Sequence, residues 1–254
     1  MSHTRDELVN SFWNKIYENV DDGGYISDDR LLNHYRFLVE KKELITFIEK
    51  YTSQDSRKRA LDVGCGNGKL TNVMANYFET VDAIDISKEI ITKNQENNRN
   101  SNCFYYCENL EEFSQRIENK YDFIYVGGVL MYIDDLNLSN NYNAIEKLLN
   151  TNAILVLRES VMSRNRVDNI NKSYVAYYRQ DNYYQNFLDF KLLQKRENLA
   201  YRTSELRNVL TRLKVDFLFT EYLYKKLLIL LKLKDIFWKP NYNKLINYYY
   251  IFRR

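Results

Sequence analysis

Asp62 stands two residues ahead of Gly64, Gly66 and Gly68 in ALDVGCGNGK, residues 60–69, a stretch that holds three of the chain's seven glycines. Bare backbone at alternate positions lets the chain turn tightly and lets a ligand approach the amino end of a following helix, where free N–H groups favour an anion. The spacing does not suit a diphosphate. A dinucleotide fingerprint, G-x-G-x-x-G, would put a glycine where Lys69 stands, and a phosphate loop would end in Gly-Lys-Ser/Thr where this chain has Leu70 after Lys69. A carboxylate at Asp62 would repel a pyrophosphate and would suit a ligand bearing an ammonium or a sulfonium.

S-adenosylmethionine carries both cations, and LDVGCGNG resembles the first motif of the class I S-adenosylmethionine-dependent methyltransferases. The similarity continues in order over roughly residues 55–160. It implies a cofactor cradled by Gly64, Cys65 and Gly66, with Asp62 facing its amino group. In VDAIDIS, Asp85 lies 21 residues after Gly64, where the family holds the ribose hydroxyls, with Ile86 beside it. A helix cap is the other use open to Asp85, and Ser87 could fill that one. In YYCENLEEF, Glu108 matches the acidic residue that meets the adenine amino group, with Asn109 and Leu110 at its edge; a solvated first-turn residue is the alternative. In YDFIYVGGVLMYIDD, Asp122 matches the family's fourth strand, and Gly127 and Gly128 match its exit, where a backbone carbonyl holds the methionine amino group; a plain turn is the other reading of this pair. The Asn/Asp-Pro-Pro-aromatic motif typical of methylation at DNA base amines is missing at this strand exit.

Methyl transfer asks the protein to align the acceptor, exclude water and take up a proton. Tyr132, five residues beyond Gly127, is a candidate for the acceptor side. Arg158 and Glu159 leave the fifth strand together in LVLRESV; Glu159 could act as base and Arg158 could clamp an anion, or both could pair within the fold. Upstream, FWNKIYENVDDGGYISDDRLLNHYRF offers Trp13, Tyr17, Tyr25, His34, Tyr35 and Arg36 as a lid, while Phe12, Trp13 and Ile16 also read as an apolar helical stripe that packs on a sheet. Tyr17, Tyr25 and His34 are the candidate pocket residues of this segment.

The elements that must place these residues follow from periodicity. Short apolar runs RALDV, VDAIDI, NCFYY, YDFIYV and AILVL alternate with helical spacing near 68–78, 88–98, 109–118 and 139–150. Such alternation predicts a doubly wound α/β fold with helices on both faces of a parallel sheet and a ligand at the carboxyl ends of the strands. With the resemblance, the expectation is a mostly parallel seven-stranded Rossmann-like sheet. A helical lid would occupy 1–52, the cofactor-binding core 53–200, and a helical insertion with a last antiparallel strand 201–254. Between the fifth strand and a sixth near 191–197 a helix is expected, and a long helical stretch over about 204–238.

Composition narrows the class. Lys plus Arg number 37 against 34 Asp plus Glu, and no long block of one sign appears, so a nucleic-acid partner is not expected. The polar start MSHTRDELVN lacks the apolar core of a signal peptide, which reads as cytoplasmic. Leu227 to Leu231 is too short to span a membrane. This Leu-rich stretch reads as a cap or a homo-oligomer contact, with a lipid-linked acceptor as a further option. Three cysteines and two histidines offer no metal site or disulfide framework. The expected activity is methylation of a hydroxyl or amine on a small molecule or glycan, a bacterial surface saccharide among them. RNA or protein methylation, and cofactor binding without catalysis, are the alternatives.

Overall fold

The computed structural model describes residues 9, 11–14, 30–170, 174–185, 189–202 and 245–254. Tyr17, Tyr25 and the 204–238 stretch with its Leu-rich section lie outside the described residues. Helix α1 (Arg30–Tyr51) leads into alternating strands and helices: β1 (Arg59–Val63), α2 (Lys69–Met74), β2 (Thr80–Asp85), α3 (Lys88–Asn97), β3 (Cys103–Cys107), α4 (Leu110–Arg116), β4 (Tyr121–Gly127), α5 (Asp135–Leu148) and β5 (Leu149–Val161). There follow β6 (Arg166–Ile170), β7 (Tyr174–Tyr178), α6 (Asp181–Gln185), β8 (Lys191–Glu197) and β9 (Ile246–Arg253).

Seven strands form one sheet in the order β3-β2-β1-β4-β5-β9-β8. β1 to β5 pair in parallel, and β9 runs antiparallel to both β5 and β8. The mostly parallel seven-stranded sheet expected from sequence is the one that forms. Its central strands are apolar on both faces because helices cover both. On one side Leu61, Val63, Ile124, Val126, Leu155 and Leu157 pack with Phe113 of α4 and Leu138 and Ile145 of α5. On the other, Ala60, Ala83, Phe123, Tyr125, Ile154 and Val156 pack with Leu44, Phe47 and Ile48 of α1 and with Val73, Met74, Ile90 and Ile91 of α2 and α3.

Polar junction residues start the helices. Ser87 caps α3 by accepting from the Ile90 N–H at 3.4 Å, and Asp134 caps α5 by accepting from the Asn137 N–H at 2.9 Å. Asn109 and Glu112 form a reciprocal capping box at α4. Not every strand carboxylate is a site residue. Asp82 is buried and held by Arg59 and by the Tyr121 hydroxyl, each at 2.7 Å. Asp122 accepts from the Lys58 and Arg59 N–H groups and from Asn150, which ties the start of β4 to the start of β1.

One expectation needs correcting. The segment between β5 and β8 is chiefly a hairpin, with Arg166 paired to Tyr178 and Ile170 to Tyr174, followed by the five-residue α6. YVAYY is rich in aromatic and β-branched residues, which suit a pleated surface better than a helix. Among the described residues no helix is long and apolar enough to cross a membrane.

Phe47 is fully buried and meets the Tyr249 ring at 5.1 Å, which ties α1 to β9. Phe47→Ala is expected to cost about 3–5 kcal/mol, read as a lower midpoint in urea unfolding. Val167→Ala, at a side chain 57% exposed, should stay within about 0.5 kcal/mol. Equal effects of the two substitutions would refute this packing.

Candidate active site

Parallel register places the tips of β1 and β2 side by side, with Val63 opposite Ile84. The glycine loop leaves β1 there, and its Gly64 and Cys65 N–H groups donate to the Ile84 carbonyl at 2.9 and 3.0 Å. Gly64 has φ +74°, and a Cβ at this residue would lie 2.3 Å from Val129 Cγ2, so the loop and the exit of β4 leave no room for a side chain. Asp85 is almost fully buried at the tip of β2; one of its oxygens accepts from the Gly66 N–H and the other from the Ser87 N–H, both at 3.0 Å. Burial raises the Asp85 pKa, and these backbone N–H groups oppose the rise. Ser87, and not Asp85, caps the helix.

A cavity of about 770 Å³ opens over the tips of β1 to β4. Asp62, Gly64, Cys65, Gly66, Asp85 and Ile86 line one part of it, and Glu108, Asn109, Leu110 and Gly127 line another. Asp62 is buried, accepts from the Thr71 hydroxyl at 2.7 Å, and has its pKa pushed up to about 7, chiefly by desolvation. Glu108 is gripped by Arg116, whose Nε lies 3.0 and 3.1 Å from its two oxygens. The side-chain oxygen of Asn109 is spent on the α4 cap. Gly127 offers its carbonyl, which already accepts from Arg158 Nη2 at 2.6 Å; a carbonyl oxygen has a second lone pair for a ligand.

The remaining candidates separate. Tyr132 lines the cavity and meets Trp13 edge to face at 5.2 Å; Trp13 lines the cavity too. Arg158 also borders it. Glu159, the next residue of β5, is fully buried and absent from the cavity wall, because adjacent strand residues point to opposite faces. Its Oε1 accepts from the Leu130 N–H at 3.0 Å, and desolvation raises its pKa to about 7. The guanidinium of Arg179 donates to the Leu130 and Ile133 carbonyls at 2.9 and 2.6 Å, so this pair holds the Leu130–Tyr132 turn from below. His34 is exposed and does not border the cavity.

Arg36, named from sequence as part of the lid, lines the cavity, and several other lining residues were not singled out: Phe37 and Glu40 of α1, Lys69, Tyr125 and Tyr201. Arg36 and Glu40 are four apart on one helix face, a signal that was available; Lys69 follows the last loop glycine; Tyr125 shares a strand face with Gly127. Nothing in the pattern around Tyr201 announces it, since a short turn at Leu199–Arg202 carries it in.

This donor set fits a cationic nucleoside. A buried carboxylate, a strand-exit carbonyl and a glycine-rich loop converge on one space, with a second carboxylate at the next strand tip. A model of the AdoMet dependent proline di-methyltransferase family matches residues 2–203. The chain is 28% identical over 158 residues to N-terminal Xaa-Pro-Lys N-methyltransferase 1-A of Xenopus laevis, covering 59% of this chain and 68% of that one. It is 26% identical over 181 residues to phosphoethanolamine N-methyltransferase 1 of Triticum aestivum, covering 70% of this chain but 35% of the wheat protein. Its fold is similar to that of the N-methyltransferase NodS from Bradyrhizobium japonicum, solved with S-adenosyl-L-homocysteine, with a TM-score of 0.61 at 14% identity over 97% of this chain and 98% of that one. Taken with the glycine loop and its flanking carboxylates, these similarities establish that the chain belongs to the AdoMet dependent proline di-methyltransferase family and is an S-adenosylmethionine-dependent methyltransferase.

Proposed function

We propose that this methyltransferase acts on an amino group of a small molecule that shares the cavity with the cofactor. The observation that carries the proposal is the Trp13–Tyr132 pair on the cavity wall. Aromatic faces attract a cationic nitrogen, so they favour the positive charge that develops on the acceptor as it is methylated; the acceptor reacts as the free amine, having given its proton to solvent before it binds. The cavity's 770 Å³ falls within the range of roughly 300–1,000 Å³ typical of small-molecule sites. The names of the frog and wheat relatives both specify N-methylation.

In this reading Asp85 takes the ribose hydroxyls, the Glu108–Leu110 corner takes the adenine, and Lys69 pairs with the methionine carboxylate. Asp62 and the Gly127 carbonyl receive the methionine ammonium. Bound S-adenosylmethionine supplies a methyl group on a sulfonium, already a good electrophile. The protein's part is to hold the amine in line, keep water out through Trp13 and Tyr132, and leave the nitrogen lone pair free. A protein amino terminus is the second reading, favoured by the family match over residues 2–203.

S-adenosylmethionine at about a hundred times its dissociation constant should raise stability by roughly 2.7 kcal/mol, and NAD should not. Asp85→Ala should weaken cofactor binding by on the order of 10- to 100-fold, the equivalent of about 1.5–3 kcal/mol. A thermal-shift and calorimetric series decides this, and an unchanged affinity in the variant would remove Asp85 from the ribose role.

Asp62 is neutral below its raised pKa of about 7 and charged above it. Pairing with the methionine ammonium requires the charged form, so cofactor affinity should climb as pH rises from 6 to 8. Asp62→Asn should flatten that slope. A slope that survives the substitution would place the titrating group elsewhere.

With S-adenosylmethionine present, a panel of small primary amines, the corresponding alcohols and a peptide beginning Xaa-Pro-Lys should yield S-adenosylhomocysteine with the amines. Turnover on the peptide alone favours the second reading, and turnover on alcohols alone defeats both.

A further inference from the structure

On the wall of the cavity contributed by β5 and α1, the guanidinium of Arg158 is fixed in place. Its Nη2 donates to the Gly127 carbonyl at 2.6 Å and its Nη1 to the Tyr201 hydroxyl at 2.5 Å, while Glu40 lies 3.5 Å from its Nε. That last distance is an ion-pair contact, and the buried Nε makes no hydrogen bond within the protein. The glycine pair after β4 is the seat for this group. A Cβ on Gly128, at φ +74°, would come within 3.1 Å of Arg158 Nη2, while one on Gly127 would crowd Tyr125 Cε1 at 3.0 Å and only touch Arg158 Nη2 at 3.4 Å. A side chain at Gly128 would crowd the guanidinium, so this glycine and the arginine of β5 form one device. A second guanidinium joins it. Arg36 and Arg158 each lie 5.6 Å from the centre of the Tyr201 ring, and both border the cavity.

The location matters as much as the charge. β5 is two strands away from β1, which carries the glycine loop, or about 10 Å at the usual strand spacing. Lys69 already stands on that loop for the methionine tail. An oriented arginine fork in a buried setting is suited to carboxylate or phosphate, which it meets with paired, charge-assisted hydrogen bonds. Nη1 and Nη2 each carry a second N–H beyond the bonds just named, and a neutral group would meet these with weaker, uncharged hydrogen bonds.

We propose that the acceptor amine also carries a carboxylate or phosphate, and that Arg158 and Arg36 bind this anionic group. The inference rests on the reading of the cavity as a joint site for cofactor and small amine. Acceptors of this class place the nitrogen, which becomes cationic on methylation, toward Trp13 and Tyr132 and an anion toward the arginine wall.

The test uses the full chain saturated with S-adenosylhomocysteine and titrated with β-alanine or phosphoethanolamine, against ethanolamine and propylamine as neutral-tailed probes. The acid-bearing amines should bind at least about tenfold tighter, the gain of one charge-assisted contact. R158Q should abolish the preference, R36Q should reduce it, and R158K, which keeps a charge and serves as the folding control, should retain part of it. Cofactor affinity is measured in the same variants, because Arg158 also holds the Gly127 carbonyl proposed for the methionine ammonium; the acceptor preference should fall by a larger factor than cofactor affinity. Equal or undetectable binding of both probe series to the wild-type protein overturns the inference. So does an R158Q variant that loses S-adenosylmethionine but holds decarboxylated S-adenosylmethionine as before, since the anion bound would then be the cofactor's own carboxylate. 3-Hydroxypropionate separates the two proposals: if it binds through Arg158 and is methylated while β-alanine is not, the amine reading fails and the anion site stands.

Discussion

Asp85 accepts the Gly66 N–H at 3.0 Å and the Ser87 N–H at 3.0 Å, and through these two bonds one buried carboxylate joins the glycine loop after β1 to the start of α3. Three of the loop's five residues are glycines, so its shape depends on neighbours: Asp85, the Ile84 carbonyl and the Asn94 amide, which donates to the Gly66 carbonyl at 2.7 Å. The parallel register that sets Val63 beside Ile84 brings the two within reach, and burial keeps competing water away. A carboxylate kept in so dry a place is costly unless it is hydrogen-bonded. The backbone N–H groups meet that requirement now, and a carboxylate has further lone pairs for ligand hydroxyls. The same carboxylate therefore shapes the loop and faces the cavity.

The parallel sheet was legible because each of the first five strands is a short apolar run bounded by a polar junction, and crossover helices join such runs in parallel; the strand order is read from the structure. RALDV and VDAIDI needed only their lengths and their flanking Ser, Asn and Gly to be placed. The hairpin at β6 and β7 was not legible in the same way. Its tyrosines recur through a chain with 23 of them, so YVAYY did not stand out as strand against that background. Asp82 shows the limit from the other side. In sequence it is as prominent an acid as Asp85, three residues away, but it lies nearer the amino end of β2 and is consumed by Arg59 and Tyr121.

On the acceptor side the sequence named residues without being able to orient them. Arg158 and Glu159 are adjacent, and a strand must send one to each face; only the packed structure shows that the arginine borders the cavity and the glutamate goes under the Leu130–Tyr132 turn. The wall they help to form is assembled from α1, β4, β5 and the turn at Leu199–Arg202, segments more than 160 positions apart in the chain at their extremes. No local pattern reports a contact of that range.

The place of β9 between β5 and β8 has a consequence for how the molecule is built. β8 ends at Glu197 and β9 begins at Ile246, yet among the described residues β8 pairs in the sheet with β9 alone. During synthesis the outer edge of the sheet must therefore wait, with β5 exposing one row of backbone groups and β8 left outside, until a strand made some fifty residues later slides between them. Closing so distant a pairing is slow. The aromatic residues of β9 that finally bury there, Tyr249, Tyr250 and Phe252, join the cores on both faces of the sheet and act as its latch.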